Sequence, residues 1–139
     1  MKKLLIVILC CFFLAACSDE IEFEGNTPEE AVKMMEQGFA ENIKEIQFAE
    51  IDNERQIAIF EATTIEGGQE YFASILEKRK NDWKVIEAFN VGNPETTESV
   101  QSAGEYLEAG FVHLSDHSSR QYVFELTDSD KEIWVNVFD

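Results

Sequence analysis

QIAIFEATT (56–64) and EYFASILEKRK (70–80) are the two stretches that decide the fold. Within each, successive side chains alternate in direction with a period of two, which is typical of β-strands. Ile57 and Ile59 therefore face away from Phe60, and Tyr71 faces away from Phe72. The short connection Glu66-Gly67-Gly68 consists of turn residues, so we expect the two strands to be antiparallel neighbours.

The same period predicts further strands on either side of this pair. We expect them at 43–51, 83–91, 105–114, 120–127 and 132–138, joined by short polar turns. In the strand at 83–91, an apolar face made by Trp83, Val85, Phe89 and Val91 is interrupted by Glu87. A polar stretch at 95–104 separates two groups of strands and is predicted to be a loop or a single weak helical turn.

One helix is predicted before the strands. Thr27 can act as its N-cap, Pro28 suits the first helical position, and Glu30 completes a capping box. Met34, Met35 and Phe39 then recur at helical spacing, which predicts a helix from about 28 to 41 with Asn42 as its stop. The fold class is therefore α+β, with this helix packed on a curved antiparallel meander sheet of about seven strands.

The N-terminus predicts export and lipid attachment. Lys2 and Lys3 precede an uncharged apolar run at 4–16, which is shorter than the about 20 residues that span a bilayer. Leu14-Ala15-Ala16-Cys17 resembles the lipobox of bacterial lipoproteins. The resemblance implies cleavage before Cys17 and a diacylglyceryl group on its sulfur, and two acyl chains give stable attachment to a membrane.

These observations predict three regions in the chain. Residues 1–16 are the signal peptide, residues 17–26 are the lipidated cysteine with an acidic tether, and residues 27–139 are one domain. Ile21 and Phe23 leave open that an edge strand begins inside the tether. Cys10 and Cys11 leave with the signal peptide, so we expect no disulfide and no cysteine nucleophile in the folded part.

The charge of the chain limits its partners. The sequence has 28 acidic and 11 basic residues, for a net charge of −17, and removal of the signal peptide lowers this charge to −19. A domain this acidic is expected to be repelled by nucleic acid and by anionic lipid headgroups, whereas it attracts cationic peptides, basic protein surfaces or divalent metals. Solubility, or adaptation to a salty or alkaline exterior, is the alternative explanation for the same charge.

A second resemblance covers residues 27–91. The opening Thr27-Pro-Glu-Glu-Ala-Val32, the strand Gln56-Ile-Ala-Ile-Phe-Glu61 and the segment Asp82-Trp-Lys-Val85 are similar to small uncharacterised lipoproteins of Bacillus and its relatives. This resemblance implies an extracytoplasmic protein on the outer face of the cell membrane, and it implies no particular activity.

Two groups of side chains are candidates for a site. His113, Asp116 and His117 are the residue types that bind zinc, but their spacing on a strand and its turn does not favour a site, and we predict no metal and no cofactor. Lys78, Arg79, Lys80 and Lys84 flank the Asn81-Asp82 turn and form a basic hairpin tip on an acidic body. The resulting dipole predicts that the tip orients the domain toward anionic headgroups or wall polymer. A solvated tip that discourages edge pairing is the alternative.

The sequence contains no recognised catalytic motif and no phosphate-binding loop, so we expect the protein not to be an enzyme. The leading hypothesis is a membrane-anchored interaction domain that binds an envelope protein or peptide through a strand edge. The alternative is a small-ligand carrier or sensor with a pocket between the helix and the sheet.

Overall fold

The stretches 56–64 and 70–80 form neighbouring strands in the computed structural model, which describes residues 22–96, 102–113, 122–127 and 129–138. The elements in chain order are β1 (Glu24–Gly25), α1 (Pro28–Lys33), a 3-10 helix (Met34–Gln37), β2 (Glu41–Asp52), β3 (Arg55–Thr63), β4 (Gln69–Arg79), β5 (Asp82–Gly92), β6 (Ser102–Ala103), β7 (Leu107–His113), β8 (Tyr122–Glu125) and β9 (Lys131–Val137). Strand β1 is the edge strand whose existence the sequence left open.

The strands form two sheets. The large sheet has the order β1-β5-β4-β3-β2 and the small sheet has the order β6-β7-β9-β8, with antiparallel pairing throughout. The predicted α+β class with antiparallel strands is confirmed, whereas the prediction of one seven-stranded meander sheet is wrong. The sheet divides because β3 and β4 are apolar on both faces, and a single short helix covers only one of them.

Each face of the large sheet carries its own apolar core. On one face, Ile57 and Ile59 of β3 pack against the small sheet, which contributes Leu107 and Ile133 to this core. On the opposite face, the residues that pack against the helical segment are Ala58, Phe60, Phe72 and Leu76, with Ala31, Val32 and Met35 from the helices. Burial on both faces removes most of the apolar surface of β3 and β4 from water, which is the main favourable term in folding.

The helix begins as predicted but ends earlier. The backbone N–H of Glu30 donates to Thr27 Oγ1 over 3.2 Å, and the Glu30 carboxylate accepts from the Asn26 N–H, which completes the cap. The α-helix stops at Lys33, and the prediction that it continues to 41 is wrong. The Met35 carbonyl accepts N–H groups of residues 38, 39 and 40, which tightens the chain into a 3-10 turn that leads directly into β2.

A β-bulge changes which side chains of β5 share a face. Val85 lies opposite Leu76 and Glu87 lies opposite Ile75, so Ile86 is an extra residue in the ladder. Trp83 and Val85 consequently join the helix-side core, whereas Phe89 and Val91 join the core between the sheets. The prediction that these four residues share one face is wrong, because one inserted residue reverses the alternation.

The small sheet also departs from a simple meander. Strand β9 lies between β7 and β8, because its residues 133–135 pair with residues 109–111 of β7 on one side and with residues 122–124 of β8 on the other. Residues Ile133 and Val135 are fully buried, which suits a central strand. The predicted loop at 95–104 contains the two-residue strand β6, which pairs with β7.

Glu87 joins the two sheets. Its carboxylate accepts hydrogen bonds from the consecutive backbone N–H groups of Glu105, Tyr106 and Leu107 at the start of β7. A side chain at Gly104 would collide with this carboxylate, so glycine is needed for the close approach. The polar interruption in the apolar pattern of β5 is therefore the residue that attaches the small sheet to the large one.

We predict that Glu87→Gln lowers the free energy of unfolding by about 1–3 kcal/mol, because an amide cannot accept all three N–H bonds and leaves backbone donors unsatisfied. Urea denaturation measures the change as a lower midpoint with an unchanged slope. Glu50→Gln, at an exposed position of β2, is the control and should change stability by less than about 0.5 kcal/mol. Equal effects of the two variants would contradict the attachment role.

Candidate functional site: the outer edge of β5

The β4–β5 hairpin brings the four predicted basic residues to one end of the large sheet. Lys78 lies opposite Trp83 and Arg79 lies opposite Asp82, and Lys80 is in the turn with a φ of +57°. Lys84 follows Trp83 in β5. The structure therefore places Lys78, Arg79, Lys80 and Lys84 within a single hairpin tip, as the sequence predicts.

Two of these four cations have acidic partners. The Lys84 ammonium lies 2.6 Å from a Glu22 carboxylate oxygen, and the Arg79 guanidinium lies 3.7 Å from Glu77. Lys78 and Lys80 are exposed and form no ion pair with any residue that the structure describes. The charge available for an external partner is thus concentrated on Lys78 and Lys80.

The pKa values of two carboxyl groups near this end of the sheet are shifted. The hydrogen bond from Lys84 and its positive charge lower the pKa of Glu22. The backbone N–H of Glu54 and the side chain of Arg55 lower the pKa of Asp52, which closes the β2–β3 turn. Local donors favour the ionised form of both carboxylates. The Glu22 carboxylate thereby attaches the chain before β1 to Lys84 of β5, and the Asp52 carboxylate stabilises the β2–β3 turn.

The outer edge of β5 is only partly paired. Strand β1 pairs with Trp83 and Lys84, and no other described strand pairs with β5 on that side. The Asn90 carbonyl accepts from Ser102 Oγ over 3.2 Å and so points away from β4. Because backbone groups alternate in direction, Ala88 presents its N–H and C=O to the same outer edge.

Two adjoining pockets that share Phe39 lie along this edge, and we call them together the β5 groove. Its first half has a volume of about 340 Å³ and is lined by Phe23, Phe39, Ile86, Ala88 and Tyr106, with charged side chains around them. Its second half lies beyond Phe39, has a volume of about 490 Å³, and is lined by Phe39, Ile65, Phe72 and Phe89.

The exposure of two of these side chains is unusual for their size. Ile65 is 99% exposed and Tyr106 is 40% exposed. The rim of the second half carries Glu66 and Glu70, whereas the rim of the first half carries charges of both signs. Exposed apolar side chains grouped along a groove with a polar rim are characteristic of interaction sites.

The other long edge of the large sheet, β2, is irregular only in its first half. Asn42 and Glu45 of β2 have φ values of +52°, and each lies at a shift in the register with β3. Such bulges twist that part of an edge strand away from the regular geometry that a further strand needs. Residues 47–50 of β2 and residues 87–90 of β5 each keep a continuous register with their inner neighbour, so the side chains beside β5 distinguish the two edges.

The predicted histidine site is only partly covered by the structure. His113 ends β7 and lies 3.7 Å from Asp130, and both side chains are largely exposed. Asp116 and His117 lie outside the described residues. Among the residues that the structure describes, no group of three metal-binding side chains is found.

Sequence reasoning missed the β5 groove. Its aromatic residues Phe23, Phe39 and Tyr106 come from three separate parts of the chain and belong to no common motif.

The lipobox residues Leu14, Ala15, Ala16 and Cys17 lie outside the described part of the chain. Across the ranges that the structure covers, no helix is both long and apolar enough to cross a membrane.

We predict that the Glu22 carboxyl titrates below its ordinary pKa of 4.5 and that Lys84→Met returns it toward that value. Because the folded-state pKa is depressed, the ion pair contributes fully above the unfolded pKa and is lost as the pH falls through the folded one. Carbon-13 NMR of the side-chain carboxyl measures both titrations. An unchanged midpoint in Lys84→Met would show that Lys84 does not hold Glu22.

The chain matches no protein-family model, and no curated protein and no solved structure is similar to it at a significant level.

Proposed function

We propose that this chain is a bacterial lipoprotein that acts as a non-enzymatic interaction domain of the cell envelope. In this proposal, residues 1–16 are removed, Cys17 carries a diacylglyceryl group, and the domain is displayed on the outer face of the cell membrane. The charged start, short apolar run and Leu14-Ala15-Ala16-Cys17 motif support the anchoring. Two acyl chains suffice to hold a protein stably on a membrane.

The β5 groove is the observation that supports an interaction function. Between Val85, whose N–H donates to Phe23, and Asn90, whose C=O accepts from Ser102, no described strand pairs with the outer edge of β5, and aromatic side chains lie beside this edge. An extended peptide can add to such an edge as a new strand, with main-chain hydrogen bonds supplying affinity and alternate side chains entering the groove.

The packing of the helix favours this function over a small-ligand carrier. A carrier of the kind considered from the sequence needs an apolar cavity between the helix and the sheet. In the structure, Ala31, Val32 and Met35 are fully buried there against the large sheet. Phe60 and Phe72 stack with their ring centroids 5.4 Å apart on the same face, so side chains occupy the space that a ligand would need.

Charge defines the expected partner. The mature domain has a net charge of −19, and the second half of the β5 groove has Glu66 and Glu70 at its rim. We therefore expect an extended segment of an envelope protein or peptide with alternate apolar residues and with Lys or Arg at the end that lies near Ile65. Complementary charge of this kind raises the association rate and rejects acidic competitors.

Mass spectrometry of the membrane-associated protein tests the anchoring. We expect a mature chain that begins at Cys17 and carries a thioether-linked diacylglyceryl group, whereas Cys17→Ala should remain an uncleaved precursor. Cleavage at another position with an unmodified Cys17 would contradict the lipoprotein proposal.

Site-specific cross-linking tests the groove. A photo-reactive amino acid at Tyr106 should capture one extended peptide segment, whose affinity is then measured with the synthetic peptide. Tyr106→Glu should weaken binding by roughly 30-fold, because loss of a central aromatic contact costs about 2 kcal/mol. Phe48→Glu is the matched control, since Phe48 is 38% exposed on β2, at the other edge of the large sheet, and Tyr106 is 40% exposed on the β5 side. Equal losses in the two variants, or a segment without basic residues, would contradict the proposed mode.

A further inference from the structure

The exit point of the lipid tether is fixed by the fold. The chain between Cys17 and Glu22 contains five peptide units, which span at most about 18 Å when fully extended. Glu22 is held by Lys84 over 2.6 Å, and the adjacent Phe23 carbonyl accepts from the Val85 N–H over 3.0 Å. Because β1 is antiparallel to β5, with Gly25 opposite Trp83 and Glu24 opposite Lys84, the chain before Glu24 runs along β5 away from the turn. The tether therefore leaves the domain beside Lys84 and Val85 of the β4–β5 hairpin, and its short length keeps this part of the hairpin near the lipid headgroups.

The same region carries the basic residues that remain available. Four of the nine basic residues of the mature chain lie within the seven positions 78–84, namely Lys78, Arg79, Lys80 and Lys84. Lys84 and Arg79 are paired with Glu22 and Glu77, which leaves Lys78 and Lys80 at the end of the hairpin. Trp83 lies directly opposite Lys78 and is half-buried against the helix-side core, so the tip presents its lysines and not this ring.

We propose that the β4–β5 hairpin tip docks against anionic lipid headgroups in the lipidated protein and so orients the domain on the membrane. This inference rests on the proposed lipidation of Cys17. Lipid headgroups are the occupant because the tether length keeps Glu22 and its partner Lys84 within about 18 Å of the lipidated cysteine, and the tip lies only a few residues from Lys84. A domain with a net charge of −19 is repelled by an anionic surface in most orientations, so attraction at this one basic tip selects a single orientation.

The orientation has a consequence for the β5 groove. Strand β4 runs from Gln69 to Arg79, and a strand of this length spans about 33 Å. Ile65 therefore lies far from the membrane when Lys78 and Lys80 lie against it. The half of the groove that ends at Ile65 is then presented to partners outside the membrane, and the half near Glu22 adjoins the headgroups.

The experiment uses the mature lipidated protein in vesicles. Since cleavage removes Cys10 and Cys11, and lipid occupies the thiol of Cys17, Asn81→Cys or Ile65→Cys supplies the single free thiol for a fluorophore. Energy transfer to an acceptor-labelled lipid in the outer leaflet reports how close each position is to the membrane. The vesicles contain phosphatidylcholine alone or with phosphatidylglycerol.

In vesicles with phosphatidylglycerol, transfer from position 81 should exceed transfer from position 65, and the difference should shrink in phosphatidylcholine alone and in high salt. Lys78→Glu should lower the ratio of molecules whose hairpin tip contacts the membrane to molecules whose tip points away from it by at least about fivefold. Lys44→Glu is the matched control, because Lys44 is also an exposed strand lysine but lies at the opposite end of the large sheet, and it should leave the ratio unchanged.

Equal transfer from positions 81 and 65 in a protein whose mass includes the lipid on Cys17 would overturn the orientation and leave the lipoprotein proposal intact. Equal effects of Lys78→Glu and Lys44→Glu would also overturn it, since the attraction would then depend on net charge alone. A chain whose mass shows no lipid on Cys17 would overturn the lipoprotein proposal itself. The mass measurement therefore distinguishes the two failures.

Discussion

The rest of the structure depends on the burial of β3 and β4 on both faces. Neighbouring side chains such as Ile59 and Phe60 point in opposite directions, and both are fully inaccessible to water. Each face must therefore be covered by a separate layer. The short helical segment covers one face and the small sheet covers the other, so the layered architecture follows from the apolar pattern of two central strands.

This constraint makes β5 the place where the structural and functional demands meet. Its inserted residue at Ile86 lets Val85 pack under the helix while Phe89 packs against the small sheet. The same bulge brings Glu87 to the N–H groups that begin β7. One strand thus contacts all three layers. Its inner edge pairs with β4, and on its outer edge the only described strand that pairs with it is the two-residue β1.

The sequence predicted the strands well because their alternation is local, and it predicted the helix start from the residues that cap it. The division into two sheets was missed, although the apolar pattern of β3 indicated it. Ile57 and Ile59 on one face and Phe60 on the other require a packed layer on each face of the strand. The bulge at Ile86 was missed because one inserted residue leaves no local mark in an apolar run. The basic tip was predicted from adjacent residues, whereas the groove depends on tertiary contacts of Phe23, Phe39 and Tyr106.

The positions of the two proposed surfaces on β5 are coupled by the short strand β1. Pairing of β1 with the beginning of β5 holds Glu22 against Lys84, and this contact sets where the tether leaves the domain. The same contact ends with the hydrogen bond from the Val85 N–H to the Phe23 carbonyl, and no described strand pairs with the outer edge of β5 beyond it. A longer β1 would cover the groove, and loss of β1 would free the tether from the hairpin. The two-residue length of β1 therefore suits a domain that is oriented by its anchor and binds a partner along the same strand.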